Sequence, residues 1–347
     1  MTSLSVPPDS GIVISVNDPA HLIAAVPHLL GFRPADSVVV IGFGGANGKR
    51  VDPLVRTGLP APGDEGAVAA MLATVFARQP GRAVAVLVVG SDPGPPPDPG
   101  DVPHRRFVTT LAAAFEARGR PVESTLWTPE IRAGSPWRRY DEPECPGVLP
   151  DDSATPVAAA VVSKGFVTFD SREEMERQLD ADDPAAVARR ERLLRARAHD
   201  APADVAEAFR EVRSALGPVD RGEPDLPDER VLRLAVALSQ PRVRDACLAV
   251  ALPPGSERSL RAEALWLALT RKLPAPERAE PAVLLGFSAY VRGDGALARA
   301  VLDKAVAAMP GHRLARLLLA CLDSAVPPAR LHRLGLAEEL SLAVAPV

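Results

Sequence analysis

The run HLLGFRPADSVVVIGFGG, His28 to Gly45, limits what this chain can fold into more than any other stretch. Its Val-Val-Val-Ile centre is apolar and β-branched at successive positions, the pattern of a strand buried on both faces. Such a strand needs covering layers on each side. Before it stands Gly31, able to take the left-handed conformation that stops a helix. Further back, Leu22, Ile23, Val26, Leu29 and Leu30 recur at helical spacing. Asn17 or Asp18 supplies an N-cap, and Pro19 suits the first helical turn. Pro27 is expected to end or kink that helix. Helix, sharp turn and doubly buried strand together predict an α/β unit.

The rest of the first half continues the alternation. Gly11 to Val16 reads as a short strand, Val51 to Leu59 as another, and Asp64 to Ala77 as an amphipathic helix. Arg82 to Gly90 (RAVAVLVVG) is a second buried strand, followed by a helix from about Arg105 to Ala117 and a strand from Val122 to Trp127. This order predicts a sheet with helices on its faces, mixed rather than parallel because of one hairpin. The hairpin rests on Asn47-Gly48, both of which tolerate positive φ. The segment GFGGANGK, Gly42 to Lys49, invites a phosphate-loop reading, but Phe43 stands where the leading glycine belongs and Arg50 follows the lysine. A strand comes next instead of the helix that would face a phosphate.

Strand signals stop near Ser171, which with Glu174 forms a capping-box start. Val205, Ala208, Phe209, Val212 and Leu216 make one apolar helical face, closed by Gly217-Pro218. Arg221 to Asp228 reads as a linker, and short helices fill the remainder. The expected division is an α/β domain over 1–170, a helical connector over 171–228 and an all-helical domain over 229–347. Within the last, Ala282, Leu285, Gly286, Ala289, Ala298, Leu302, Ala305 and Pro310 resemble one tetratricopeptide unit, turning at Gly293-Asp294-Gly295. One such unit cannot bury its face alone, so Leu260–Leu273 and Arg313–Leu322 are expected as neighbouring helices.

The chain's net charge of −4 argues against a nucleic-acid partner, whose affinity draws on clustered basic surface. Arg189, Arg190, Arg192, Arg195 and Arg197 form a basic cluster without the aromatics that stack on bases, and read as a solvated helix face. Cys145, Cys247 and Cys321 are too far apart for a disulfide framework and fit a reducing cytoplasm. No signal peptide or membrane span is read from the sequence. The expectation is a cytoplasmic protein with no cofactor and no metal.

Arg33 and Asp36 stand between the glycine turn and the buried strand. They are read as bridging one another to brace the turn, or as ligand contacts at a strand entrance. Arg138 and Arg139, in SPWRRYDEPECP, sit among Tyr140, Asp141 and Glu142 on what reads as an exposed loop able to hold an anion. The six prolines between Ser91 and Pro103 form a stiff connection after a buried strand, at an edge where open sheets often bind ligands. The six histidines, His28 among them, are scattered and match no nucleophile motif.

AVPHLLGFRPADSVVVIGF near the start and PAVLLGFSAYVRGDGALARAVLDKAVAAMPGHRLARLL near the end carry a resemblance, spanning about Gly11 to Pro328, to the actinobacterial family catalogued as domain of unknown function 4192. The resemblance implies no activity, so it transfers no catalytic residues. It also implies a cysteine-rich loop, matched here only by Tyr140 and Cys145-Pro146. The leading expectation is a binding or scaffold protein, whose α/β domain recognises a small molecule or a protein and whose helical domain offers a surface to a protein partner. The alternative is an enzyme with a small-molecule site at the strand ends of the α/β domain.

Overall fold

In the computed structural model of the chain, residues 2–4, 18–44, 50–79, 81–91, 101–163, 166–181, 183–197, 204–217 and 226–335 are described. The expected strand at 11–16, the Asn47-Gly48 turn, most of the proline loop and residues 221–225 of the expected linker lie outside them. The chain divides into two compact units: Met1–Glu174 with Asp323–Ala325, and Met175–Leu322 with Val326–Val347.

The first unit begins with strand β1 (Thr2–Leu4) and helix α1 (Pro19–Leu30). The Asp18 carboxylate caps α1 by accepting the His21 N–H at 3.2 Å, and Gly31 ends it at φ 78°. Contrary to expectation, the helix runs through Pro27. Its missing N–H forgoes only the bond to the Ile23 carbonyl, and burial of the surrounding apolar residues outweighs that loss. Then follow β2 (Ser37–Gly44), β3 (Arg50–Gly58), α2 (Glu65–Ala77), β4 (Ala83–Val89), α3 (Arg105–Glu116), β5 (Val122–Thr128), β6 (Pro136–Arg139) and β7 (Gly147–Val148).

The strands form one mixed sheet in the order β1-β3-β2-β4-β5-β6-β7. Among the described strands only β4 and β5 pair in parallel; β2 and β3 pair antiparallel as a hairpin, which rules for the hairpin over the phosphate loop at Gly42–Lys49. Every residue of β2 and β4 is buried, as the β-branched runs predict. Alternation assigns their side chains. Val38, Val40, Val84, Val86 and Val88 pack with Ala69, Leu72 and Phe76 of α2 and Phe107, Leu111 and Phe115 of α3. Val39, Ile41 and Leu87, on the other face, are equally inaccessible.

The segment read as an exposed loop at Ser135–Pro146 is partly strand: β6 pairs with β5 through Trp127↔Arg138 and Leu126↔Arg139. Sequence pattern misses it because the strand is short, carries Pro and Arg, and buries no face, although it pairs with β5 on one side and β7 on the other. After β7 come a 3-10 turn (Asp152–Ala154), α4 (Pro156–Ser163) and the start of α5 (Arg172–Arg177). The capping box forms with a shift. Ser171 Oγ accepts the Glu174 N–H at 3.0 Å, and the Glu174 carboxylate takes the N–H of Asp170 at 2.8 Å.

The second unit is helical among its described residues: α6 (Pro184–Arg197), α7 (Val205–Ala215), α8 (Asp228–Leu238), α9 (Pro241–Leu248), α10 (Glu257–Lys272), α11 (Ala279–Arg292), α12 (Gly295–Ala308), α13 (Arg313–Asp323) and α14 (Pro328–Gly335). The hairpin at Gly293-Asp294-Gly295 forms as expected. Gly293 ends α11 at φ 94°, and the Asp294 carboxylate caps α12 by accepting the Leu297 N–H at 3.0 Å. At Gly286 a Cβ would lie 2.7 Å from Leu302 Cγ, so only glycine lets the two helices approach this closely. Every residue of α11 is buried, and the helix meets α8, α9, α10, α12 and α14. That is a bundle around a central helix, whereas in a linear repeat stack each unit meets only its neighbours.

The basic cluster on α6 is not wholly a solvated face. Arg189 and Arg190 Nε each lie 2.7 Å from the Asp228 carboxylate at the start of α8, and Arg190 Nη1 donates to the Lys272 carbonyl at 3.0 Å. Burial alone would raise the Asp228 carboxyl; the hydrogen bonds from the two arginines outweigh it and hold it below the ordinary value. A depressed acid contributes stability above its unfolded value, about 3.9, which is lost as pH falls through the folded one. Asp228→Asn is therefore expected to cost on the order of 1 kcal/mol at neutral pH, a modest figure because Arg189 is half-exposed. In urea unfolding across a pH series, the gap between wild type and variant should stay flat above about pH 5 and close below about pH 4. A gap that persists unchanged into strong acid would contradict the clamp.

Candidate functional site

The antiparallel register sets Ser37 of β2 opposite both Gly58 of β3 and Val89 of β4, and β4 in turn sets Val89 beside Thr128 of β5. The turn before β2 thus lies at the edge where the parallel pair β4 and β5 ends, the edge at which open α/β sheets present ligand sites. Asp36 occupies that turn at φ 43°, a left-handed conformation that aspartate tolerates better than most residues. Its carbonyl accepts the Leu59 N–H at 3.0 Å. Gly90, just past β4, has φ 140°, and a Cβ there would lie 2.8 Å from Asp36 Oδ1 and 3.2 Å from Asp36 Cα. The backbone needs glycine at this point, and Asp36 closes over it.

Arg33 does not bridge to Asp36 as the sequence reading expected. Its Nη1 lies 2.9 Å from Asp152 Oδ2 and donates to the Ile131 carbonyl at 2.9 Å, while its Nε donates to Asp170 at 3.2 Å. These partners stand 98 to 137 residues away in the chain. A parallel bridge between Phe32 and Phe169 brings Asp170 among them. The Arg33 N–H bonds the Phe169 carbonyl at 3.0 Å, and the Phe169 N–H bonds the Gly31 carbonyl at 2.9 Å. Burial works against the Arg33 charge, yet the two carboxylates outweigh it and raise the guanidinium's affinity for its proton.

The same bridge brings Thr168 to His28, near the end of α1. His28 Nε2 lies 3.1 Å from the Asp152 carbonyl and 3.2 Å from Asp152 Oδ2. Because a carbonyl can only accept, Nε2 carries the proton, which leaves Nδ1 as an acceptor. Thr168 Oγ1 stands 3.0 Å from Nδ1, where it donates to the neutral imidazole. The His28 and Asp152 side chains are 8% and 7% exposed, so this geometry is held away from bulk water. One guanidinium between two carboxylates leaves a net negative charge beside the imidazole.

Arg138 and Arg139 are placed apart from this cluster, on β6, and share no hydrogen bond or ion pair with Arg33 or Asp36 among the described residues. Arg139 is engaged by a fork onto Asp141, at 3.0 and 2.7 Å, which holds the Asp141 carboxyl below its ordinary value. Tyr140, expected on the surface, is buried; its hydroxyl donates to the Pro103 carbonyl and its own carbonyl accepts from Arg105 at 2.9 Å. In the sequence His28 is one of six scattered histidines, and Asp152, Thr168 and Asp170 carry no motif. Nothing local marks them, because their neighbours in space are more than a hundred residues away in sequence.

Among the described residues, no group of three or more His, Cys, Asp or Glu is arranged to hold a metal ion, and no helix is long and apolar enough to cross a membrane. Cys145 is exposed; Cys247 is buried, its thiol pushed up to about 12 by burial and by Asp245. A family model described as "Domain of unknown function (DUF4192)" matches residues 19–329. No curated protein and no solved structure matches the chain.

Proposed function

The chain belongs to that DUF4192 family, and we propose that its α/β unit binds a small polar molecule at the edge where β4 and β5 end, while the helical unit serves as a scaffold for a protein partner. The observation that carries the first half is the convergence on this edge of Arg33, His28, Asp152, Thr168 and Asp170, with the exposed Asp36 beside Gly90. Polar groups drawn from distant segments and set around a sheet edge are what a small-ligand site requires. The net negative balance there suits a neutral or cationic ligand. The second half draws on the α11–α12 hairpin, whose helices approach closely at Gly286, and we place the protein's work in the cytoplasm.

Thermal unfolding of the full chain against a panel of small amines, amides and esters tests the ligand reading. A ligand at one hundred times its Kd stabilises the folded state by about 2.7 kcal/mol, which reads as a rise of several degrees. The rise is expected in wild type and should shrink in Asp36→Gly, which removes the carboxylate while keeping a residue at ease at positive φ. A panel without any hit, or a hit indifferent to Asp36→Gly, overturns the placement. An enzyme working at the same edge is the second reading, favoured by the contact between Thr168 and His28.

A further inference from the structure

We propose that Thr168 is a nucleophile for acyl transfer and His28 its general base, acting on a small, uncharged carboxylic ester. The inference rests on the ligand edge proposed above and supplies its chemistry. A hydroxyl becomes a useful nucleophile when a base accepts its proton and a third group fixes that base. All three parts are present: Thr168 Oγ1 at 3.0 Å from His28 Nδ1, and His28 Nε2 held at 3.1 Å by the Asp152 carbonyl with the Asp152 carboxylate at 3.2 Å. In the neutral imidazole the tautomer is the required one, since the Asp152 carbonyl takes the proton-bearing Nε2 and leaves the other nitrogen facing Thr168.

Thr168 is half-buried and follows the exposed Val167, while the base it contacts is buried. The surplus negative charge of Asp152 and Asp170 over Arg33 favours the imidazolium that forms when the hydroxyl proton moves. The same surplus repels a phosphate dianion, which selects a neutral acyl carbon over a phosphoryl group. In the first half-reaction the Thr168 oxygen bonds the acyl carbon and the ester carbon–oxygen bond breaks. The hydroxyl proton passes to His28 Nδ1 and from there to the departing alcohol. In the second, water repeats the attack with His28 as base, releasing the carboxylic acid and restoring Thr168.

The test is p-nitrophenyl acetate added to the full chain, following release of p-nitrophenolate and the mass of the peptide that carries Thr168. Expected are a burst approaching one equivalent per chain and an acetyl group on Thr168. Thr168→Val, close to isosteric, should abolish both while the chain still unfolds cooperatively at a somewhat lower melting temperature, since His28 Nδ1 loses its partner; Thr168→Ser should retain both, and His28→Gln should slow the burst about 100-fold or more. No burst in wild type, or a burst that survives Thr168→Val, overturns the proposal. If ligands still raise the melting temperature while no burst occurs, the acyl-transfer chemistry falls and the binding edge stands. If both fail, the edge itself falls.

Discussion

Asp152→Ala should lower the stability of the α/β unit by about 3 kcal/mol, the low end of what breaking a buried ion pair costs. The loss comes less from a missing attraction than from what is left behind. His28 and Arg33 are 8% and 21% exposed, and without Asp152 the guanidinium faces a poorly hydrated space with one carboxylate fewer. Arg33 keeps Asp170 and the Ile131 carbonyl, which is why the upper end of the range is not expected. Asp170→Ala is the control. That side chain is 71% exposed, so its pair with the same arginine should be worth under about 1 kcal/mol. In urea unfolding the double variant Arg33→Met/Asp152→Ala should lose less than the two single losses added together. Equal costs for Asp152→Ala and Asp170→Ala would show that burial does not govern the cluster.

Phe287→Ala should cost the helical unit about 3–5 kcal/mol, the usual range for truncating a buried aromatic. Phe287 is 1% exposed and stands beside Gly286 on α11, the helix that the rest of the bundle surrounds. The neighbouring helices cannot collapse into the space without losing their own contacts, because Leu302 already sits against the Gly286 backbone. Leu260→Ala on α10 provides the comparison: its side chain is 42% exposed, and its truncation should stay within about 0.5 kcal/mol. Since the chain has two units, the loss should appear in the unfolding transition of one of them and leave the other in place. A cost for Phe287→Ala no larger than that for Leu260→Ala would mean that α11 is not the core of its unit.

Much of the fold is legible in the sequence because its signals are local. The β-branched runs of β2 and β4, the Asp18 cap and Gly31 stop of α1, and the Gly293-Asp294-Gly295 turn each state their structure within a few residues. The failures share a cause as well. Pro27 opposes its helix locally, and tertiary burial overrules it. Strand β6 carries no apolar alternation, because pairing with β5 and β7, not a buried face, makes it a strand. Arg189 and Arg190 look like surface charge until α8 brings Asp228 to them.

The candidate site follows the same division. HLLGFRPADSVVVIGFGG by itself determined a helix stop, a tight turn and a doubly buried strand, and with the second quoted segment it determined the family. Which charges meet at that turn was decided only by the tertiary structure. Arg33 and Asp36 are three residues apart and look like partners, yet backbone geometry sends Asp36 over Gly90 and Arg33 toward Asp152 and Asp170. His28 meets Thr168 across 140 residues of chain because Phe32 and Phe169 pair as strand neighbours. Local pattern reports what a segment does to its own backbone. Which side chains meet depends on how the folded sheet brings distant segments together, and no short stretch of sequence records that.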